Sequence, residues 1–172
     1  MYISGSHYSG INNGSFPELM KRLAAQLPKY REKYGVDAWF VTGKSGIVAQ
    51  AALIMLGSEQ PVCAVRKPGE SSHGSMFEGN CNHMGRKPYL HVGIIDDFVD
   101  SGATVTRILG QIAEARRWTA NEYVNASFEL RCVVGYKKDH PDRSNQPFWV
   151  PEHFVQDEAV EGRSVTVPYI GV

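Results

Sequence analysis

The sequence predicts an α/β fold, a mostly parallel sheet flanked by helices, and three observations carry that prediction. Apolar runs of strand length recur at 38–41, 62–65, 90–95 and 128–136. Segments of helical period separate several of them, and strands alternating with helices favour parallel pairing with both sheet faces covered. Two of the runs also lead through short Gly/Ser-containing loops into a helix, after 41 and after 97.

Ser15-Phe16-Pro17-Glu18 has the form of a capping box with an early proline, and Leu19, Leu23 and Leu27 then share one helical stripe. Pro28 is expected to kink or end this helix, with a polar continuation to Tyr34 and a stop at Gly35. Ala38 to Val41 reads as a short buried strand and Thr42 to Gly46 as a loop. The nearly all-apolar Ile47 to Leu56 reads as a helix buried on most sides. A strand at Val62 to Val65 comes next. From Arg66 to Pro88 the chain is polar, Gly/Ser-rich and aperiodic, so a long functional loop is expected there. Val92 to Ile95, lengthened by Leu90, reads as a buried strand, followed by a helix on Val105, Ile108, Leu109 and Ile112. A β-rich stretch spans Phe128 to Tyr136. The tail from Lys137, rich in proline and aromatics, reads as a small hood whose last strand candidate is Ser164 to Tyr169.

With 172 residues the chain has the usual size of one domain. A single domain over 1–172 is expected, with its core at about 16–136 and a hood formed by the N-terminal segment and 137–172. Eighteen basic side chains balance 18 acidic ones without a basic block, which argues against nucleic acid and anionic membrane as partners. The opening residues lack a signal-peptide pattern, and no apolar run approaches a membrane span, so a cytoplasmic protein is expected. Cys63, Cys81 and Cys132 follow no disulfide or CxxC pattern, which suits a reducing compartment. Cys81 and His83 alone are weak evidence for a metal.

Chemistry concentrates in Ile94-Ile95-Asp96-Asp97-Phe98-Val99-Asp100-Ser101-Gly102-Ala103-Thr104. Asp96 and Asp97 leave the carboxyl end of a strand, the edge at which open α/β sheets bind ligands, and adjacent carboxylates accept hydrogen bonds from a vicinal diol. The N–H groups of Ser101 to Thr104 fall at a helix N-terminus, where unpaired donors and the helix dipole favour an anion such as a phosphate. A strand-to-helix turn capped by Asp100 or Ser101 is the plainer reading of the same residues.

This run resembles the phosphoribosyl-pyrophosphate signature of the type I phosphoribosyltransferases: an apolar strand, two acids, three variable residues, then Thr-Gly-x-Thr, with Ser101 here in place of the first Thr. The resemblance implies that fold, with a long flexible catalytic loop, and assigns ribose and 5'-phosphate to Asp96, Asp97, Asp100, Ser101, Gly102, Ala103 and Thr104. It assigns pyrophosphate to Gly43, Lys44, Ser45 and Gly46, and implies a strained non-proline cis peptide near Gly43-Lys44. Independently of the family, Gly43 to Gly46 follows a strand and opens a helix, which makes it a second anion site on the same edge, or an ordinary βα turn capped by Ser45.

Arg66-Lys67-Pro68-Gly69-Glu70-Ser71-Ser72-His73-Gly74 resembles the mobile catalytic loop of orotate phosphoribosyltransferases, one residue longer and without an internal lysine. Arg66, Lys67 and His73 could neutralise a departing pyrophosphate, or form a solvated basic corner. Arg86 and Lys87 read as solvated. Asp100 matches the aspartate that hypoxanthine-guanine and xanthine phosphoribosyltransferases place near the purine's N7, and doubles as a helix-cap candidate. Lys137 lies where the 6-oxopurine enzymes hold the exocyclic oxygen, and Phe148-Trp149-Val150-Pro151-Glu152 resembles their base-stacking and metal-holding segment. Phe148, Trp149 and Phe154 are all stacking candidates, or plain core.

The expectation is a Mg²⁺-dependent transferase of the 5-phosphoribosyl group from phosphoribosyl pyrophosphate to a nucleobase, a 6-oxopurine first and orotate second. Catalysis falls to Asp100, Lys67, His73 and Arg66, base binding to Lys137, Phe148 and Trp149, and metal to Asp96, Asp97 and Glu152. A homo-oligomer, dimer or tetramer, is expected from the family. The rival from another class is a non-catalytic regulator that binds phosphoribosyl pyrophosphate or a nucleotide.

Overall fold

The computed structural model describes residues 16–66, 76–81, 87–97, 102–119 and 127–136, together with the strand backbones at 148–150, 165–167 and 169–171. In chain order the elements are α1 (Phe16–Tyr34), β1 (Ala38–Thr42), α2 (Gly43–Met55), β2 (Val62–Val65), β3 (Phe77–Gly79), β4 (Tyr89–Asp96), α3 (Ala103–Thr119), β5 (Ser127–Gly135), β6 (Phe148–Val150), β7 (Val165–Val167) and β8 (Tyr169–Gly171). Six strands form one sheet in the order β3-β2-β1-β4-β5-β8, and β6 and β7 form a separate antiparallel pair. Every pairing in the large sheet is parallel except that of β3 with β2. The expected fold class, a mostly parallel sheet flanked by helices, is the observed one.

The alternation of side chains along β1 divides the core. Ala38 and Phe40 face α3, packing with Ile94, Val105, Ile108, Leu109 and Ile112. Trp39 and Val41 face the other way, against Met20, Leu23 and Leu27 of α1 and Ala49 and Leu53 of α2. On β5 the parity changes, because the pairing register shifts between Val92 and Gly93 and leaves Arg131 as an extra residue. Leu130 and Val133 can therefore share the α3 face, while Cys132 and Val134 join the other. Gly93 gives Trp39 its space: a Cβ there would collide with the Trp39 ring.

Pro28 neither ends nor interrupts α1, which runs to Tyr34, with Leu23 and Leu27 fully buried in the turns that precede the proline. The proline is exposed, so water can solvate the carbonyl left without its N–H. The aperiodic 66–88 stretch holds an element that the pattern does not signal, β3, only three residues long and largely exposed. Its antiparallel register with β2 sets Gly79 opposite Cys63, and the chain then folds back so that Cys81 N–H donates to the Gly79 carbonyl. That fold brings Cys81 onto Cys63, and the two form a disulfide. The expectation of unpaired cysteines is thus overturned, and with it the cysteine argument for a reducing compartment; spacing in sequence says nothing about register across a hairpin. Cys132 is the free, buried cysteine. The tail strand expected at Ser164 to Tyr169 is two strands: β7 pairs with β6, and β8 adds a parallel strand beside β5.

Polar contacts close the amino-terminal edge of the sheet. The Asp37 carboxylate accepts from Lys87 Nζ at 2.6 Å and from the His91 backbone N–H at 2.9 Å. Burial alone would raise the Asp37 carboxyl, but those donors win and hold it below its ordinary value. Lys87, expected to be solvated, is exposed yet ion-paired. Arg116, fully buried, donates to the carbonyls of Lys87 and Pro88, both at 2.9 Å, and pins the chain entering β4. Among the described residues no helix is long and apolar enough to cross a membrane.

Candidate active site

Strand order locates the crevice. The chain passes from β1 through α2 to β2 on one side, and β4 lies on the other side of β1. Because α2 and α3 cover opposite faces, their amino termini diverge at the carboxyl ends of β1 and β4, and the gap between them is the topological switch point at which open α/β sheets take ligands. The β1–β4 register pairs Phe40 with Ile94, and its continuation sets Thr42 level with Asp96.

On the β1 side no loop intervenes. α2 begins at Gly43, so the residues 42–46 expected as a loop are a strand end and a first helical turn. No cis peptide bond occurs among the described residues, so the expected strained bond at Gly43-Lys44 is a trans one. The sharp change of direction is made instead by Gly43 at φ 67°, a left-handed conformation that glycine adopts without a Cβ penalty. Gly46 lets the helix approach: a Cβ there would lie 2.9 Å from Val41 Cβ. Thr42, at the N-cap position, makes no side-chain cap, because its hydroxyl donates to the Val65 carbonyl at 2.7 Å. Thr42 therefore leaves the first-turn N–H groups of α2 for an anion. Lys44 is exposed in that turn.

On the β4 side, Asp96 ends the strand with its side chain buried, and Asp97 follows half-buried. The Asp97 N–H donates to Asp96 Oδ1 at 2.9 Å. Burial first, and then the Asp97 carboxyl beside it, push the Asp96 carboxyl up to about 8, against the Asp97 N–H and the Arg107 charge, which favour its ionised form. α3 opens after Gly102, itself at φ 77°, with Thr106 N–H donating to the Gly102 carbonyl at 2.9 Å. Ala103 and Thr104 form its first turn. Two helix amino termini and an acidic pair thus converge on one edge of two adjacent strands. Among the described residues no group of three His, Cys, Asp or Glu side chains could hold a metal by itself. Asp96 and Asp97 supply hard oxygens, which are donors of the class a magnesium ion takes.

Three site residues escaped the sequence reading. Tyr136, level with Asp97 through the Asp96–Gly135 pairing, donates its hydroxyl to the Ser45 carbonyl at 3.2 Å and its N–H to the Asp96 carbonyl at 3.2 Å. It ties the two halves of the crevice together, and burial, then Asp97 and Asp96, push its phenol well above the ordinary value. Arg107, on α3, acts on Asp96 by charge. Gln111 donates to the Arg66 carbonyl at 2.8 Å. An aromatic after a strand carries no distinguishing signal; only the adjacency of β4 and β5 reveals Tyr136.

Arg66 stands just past β2, one strand from β1, with its guanidinium ion-paired to Glu78 of β3. Lys67, His73, Asp100, Ser101, Lys137 and Glu152 lie outside the described residues. Phe148 and Trp149 are described by backbone alone, on β6 opposite Val167 and Thr166.

No family model matches the chain, and no curated protein matches it. Solved structures resemble it at low identity. An adenine phosphoribosyltransferase is 16% identical over 90% of this chain and 80% of its own, with a TM-score of 0.46. The adenine phosphoribosyltransferase of Saccharomyces cerevisiae is 19% identical over 69% of this chain and 68% of its own, with a TM-score of 0.42. A hypoxanthine-guanine-xanthine phosphoribosyltransferase is 14% identical over 88% of this chain and 85% of its own, with a TM-score of 0.39. At such identities and scores these are likenesses, and the functional reading rests on the crevice itself.

Proposed function

We propose that this protein is a phosphoribosyltransferase that moves the 5-phosphoribosyl group of phosphoribosyl pyrophosphate onto a nucleobase and releases pyrophosphate. The observation that carries this reading is the convergence of Asp96-Asp97 with the amino termini of α2 and α3 at the β1/β4 switch point. A ribose diol needs paired carboxylates, and its two phosphate ends need two separate sets of N–H donors. In this reading Asp96 and Asp97 receive the diol, Asp100 to Thr104 the 5'-phosphate, and Gly43 to Gly46 the pyrophosphate.

Departure of pyrophosphate breaks the bond to the ribose C1, leaving an oxocarbenium-like centre that a base nitrogen attacks. Donors fixed on the pyrophosphate side therefore carry the main electrostatic task. Lys44 and the first turn of α2 serve there, joined by Arg66, Lys67 and His73 from the 66–74 loop. When bound, Mg²⁺ neutralises charge on the leaving pyrophosphate; Asp96, Asp97 and Glu152 are the residues to hold it. Asp100 exchanges a proton with the base, Lys137 donates to an exocyclic oxygen, and Phe148 or Trp149 stacks. Those assignments favour a 6-oxopurine acceptor over orotate.

The test is pyrophosphate release from phosphoribosyl pyrophosphate and Mg²⁺ with hypoxanthine, guanine, xanthine, adenine and orotate offered separately. Turnover with one base and not the others establishes the activity and names the acceptor. Tight binding of phosphoribosyl pyrophosphate without release with any base overturns catalysis in favour of a sensor.

A further inference from the structure

The β1–β4 ladder does not reach the crevice. Its pairs run from Ala38–Val92 through Trp39–Gly93 to Phe40–Ile94 and stop two residues short of Thr42 and Asp96. At the level of the site each strand is paired on its other side, Thr42 with Val65 of β2 and Asp96 with Gly135 of β5. The two walls are therefore set by different neighbours. Tyr136, directly after β5, bonds to both. Its N–H donates to the Asp96 carbonyl and its hydroxyl to the Ser45 carbonyl, each at 3.2 Å, so one residue holds the end of β4 and the first turn of α2.

The ring and the hydroxyl of Tyr136 have separable roles. The ring meets Phe16 of α1 edge to face, with centroids 6.4 Å apart, and belongs to the buried cluster that holds Val41, Ile95 and Val134. A phenylalanine would keep those contacts. The hydroxyl bond is an addition to the helix: Ser45 lies inside α2, whose own ladder already uses its carbonyl, and the second lone pair of that oxygen takes the phenol. Burial and the two carboxylates keep the phenol protonated, so it remains a donor at neutral pH.

We propose that the Tyr136 hydroxyl is a positioning group that holds the pyrophosphate side of the crevice at a set distance from the Asp96-Asp97 side and so couples them for a ligand occupying both. This rests on the phosphoribosyl pyrophosphate reading given above. A ligand that spans two subsites gains from the second only when their separation matches its own, whereas a fragment filling one subsite is indifferent to that separation. Transfer is more demanding still, because a displacement of about 1 Å between reacting groups costs up to about 100-fold in rate.

Tyr136→Phe tests this by calorimetric titration in Mg²⁺ with phosphoribosyl pyrophosphate, pyrophosphate and ribose 5-phosphate in turn. The dissociation constant of the whole ligand is expected to rise about 10-fold, while that of each fragment stays within about two-fold of the wild-type value. Turnover at saturation is expected to fall about 10- to 100-fold. Without any ligand, amide exchange over Ile47 to Gln50 is expected to become about 2- to 10-fold faster, as loss of one hydrogen bond at the start of α2 requires. Fragments that weaken as much as the whole ligand overturn the proposal and leave Tyr136 a general packing residue. Unchanged affinity for the whole ligand overturns it too, as does unchanged amide exchange. A wild-type chain that binds all three ligands without turnover overturns catalysis alone, because coupling is read from the affinities. A wild-type chain that binds none of them overturns the phosphoribosyl pyrophosphate reading and the coupling with it, and amide exchange then still decides whether the hydroxyl ties α2 to β4.

Discussion

β1–α2 and β4–α3 are adjacent parallel βα units whose helices leave on opposite faces, yet the first passes from strand into helix without a spare residue and the second inserts residues 97–102 between them. The β1 unit is sealed by packing: Thr42 is bonded across to β2, Gly43 makes the turn, and Gly46 lets α2 approach Val41. The β4 unit ends in two carboxylates, one buried, held at a protonation cost beside a longer connection. One side offers fixed donors, and the other places its charges where folding alone disfavours them. Such an expense at a strand end accords with the binding role proposed for Asp96.

The comparison breaks most visibly at Asp97. Asp97→Asn removes charge-assisted bonds worth about 1.5–3 kcal/mol, so the affinity for phosphoribosyl pyrophosphate should fall about 10- to 150-fold with an unchanged melting temperature. Isothermal titration with unchanged affinity would remove the diol assignment. The β1 unit should respond in the opposite way. Gly46→Val drives side-chain atoms into Val41 and should cost about 1–3 kcal/mol in a urea melt, because helix and strand cannot both stay in place. Full retention of stability would show that α2 moves freely on β1.

Asp96→Asn sharpens the contrast between fold and function. The Asp96 carboxyl is raised from 3.8 to about 8 in the folded chain, so the native state binds more protons than the unfolded state between those values. Its contribution to stability is therefore full below the unfolded value and is lost as pH rises toward the folded one. The asparagine variant should flatten that decline and gain about 0.5–2 kcal/mol at pH 8 while losing ligand affinity. Parallel stability-versus-pH curves for the two proteins would contradict the burial argument. The smallest effect is expected from Thr42→Val, which deletes one buried hydrogen bond to Val65 and should cost about 1 kcal/mol. A null result in the same melt would mean that water replaces that hydroxyl.

Periodicity marks α1, β1, β2, β4, α3 and β5. The stripe of Leu23 and Leu27, the apolar runs of β1, β2, β4 and β5, and the spacing of Val105, Ile108, Leu109 and Ile112 each report which face is buried, and those side chains are buried as read. Local chemistry likewise marked Asp96-Asp97 and Gly43 to Gly46, because glycine, carboxylate and helix start lie within a few residues of one another. The tertiary structure alone decided what depends on pairing between distant segments. Strand order turned two unrelated turns into the walls of one crevice. The register of a three-residue edge strand joined Cys63 to Cys81, and adjacency of β4 and β5 brought Tyr136 to Ser45 and Asp96. It also showed that the outer face of α2, as apolar as its inner one, is left uncovered by the rest of the described chain. Sequence pattern reports how much a residue wants to be buried; only the packed chain shows against what.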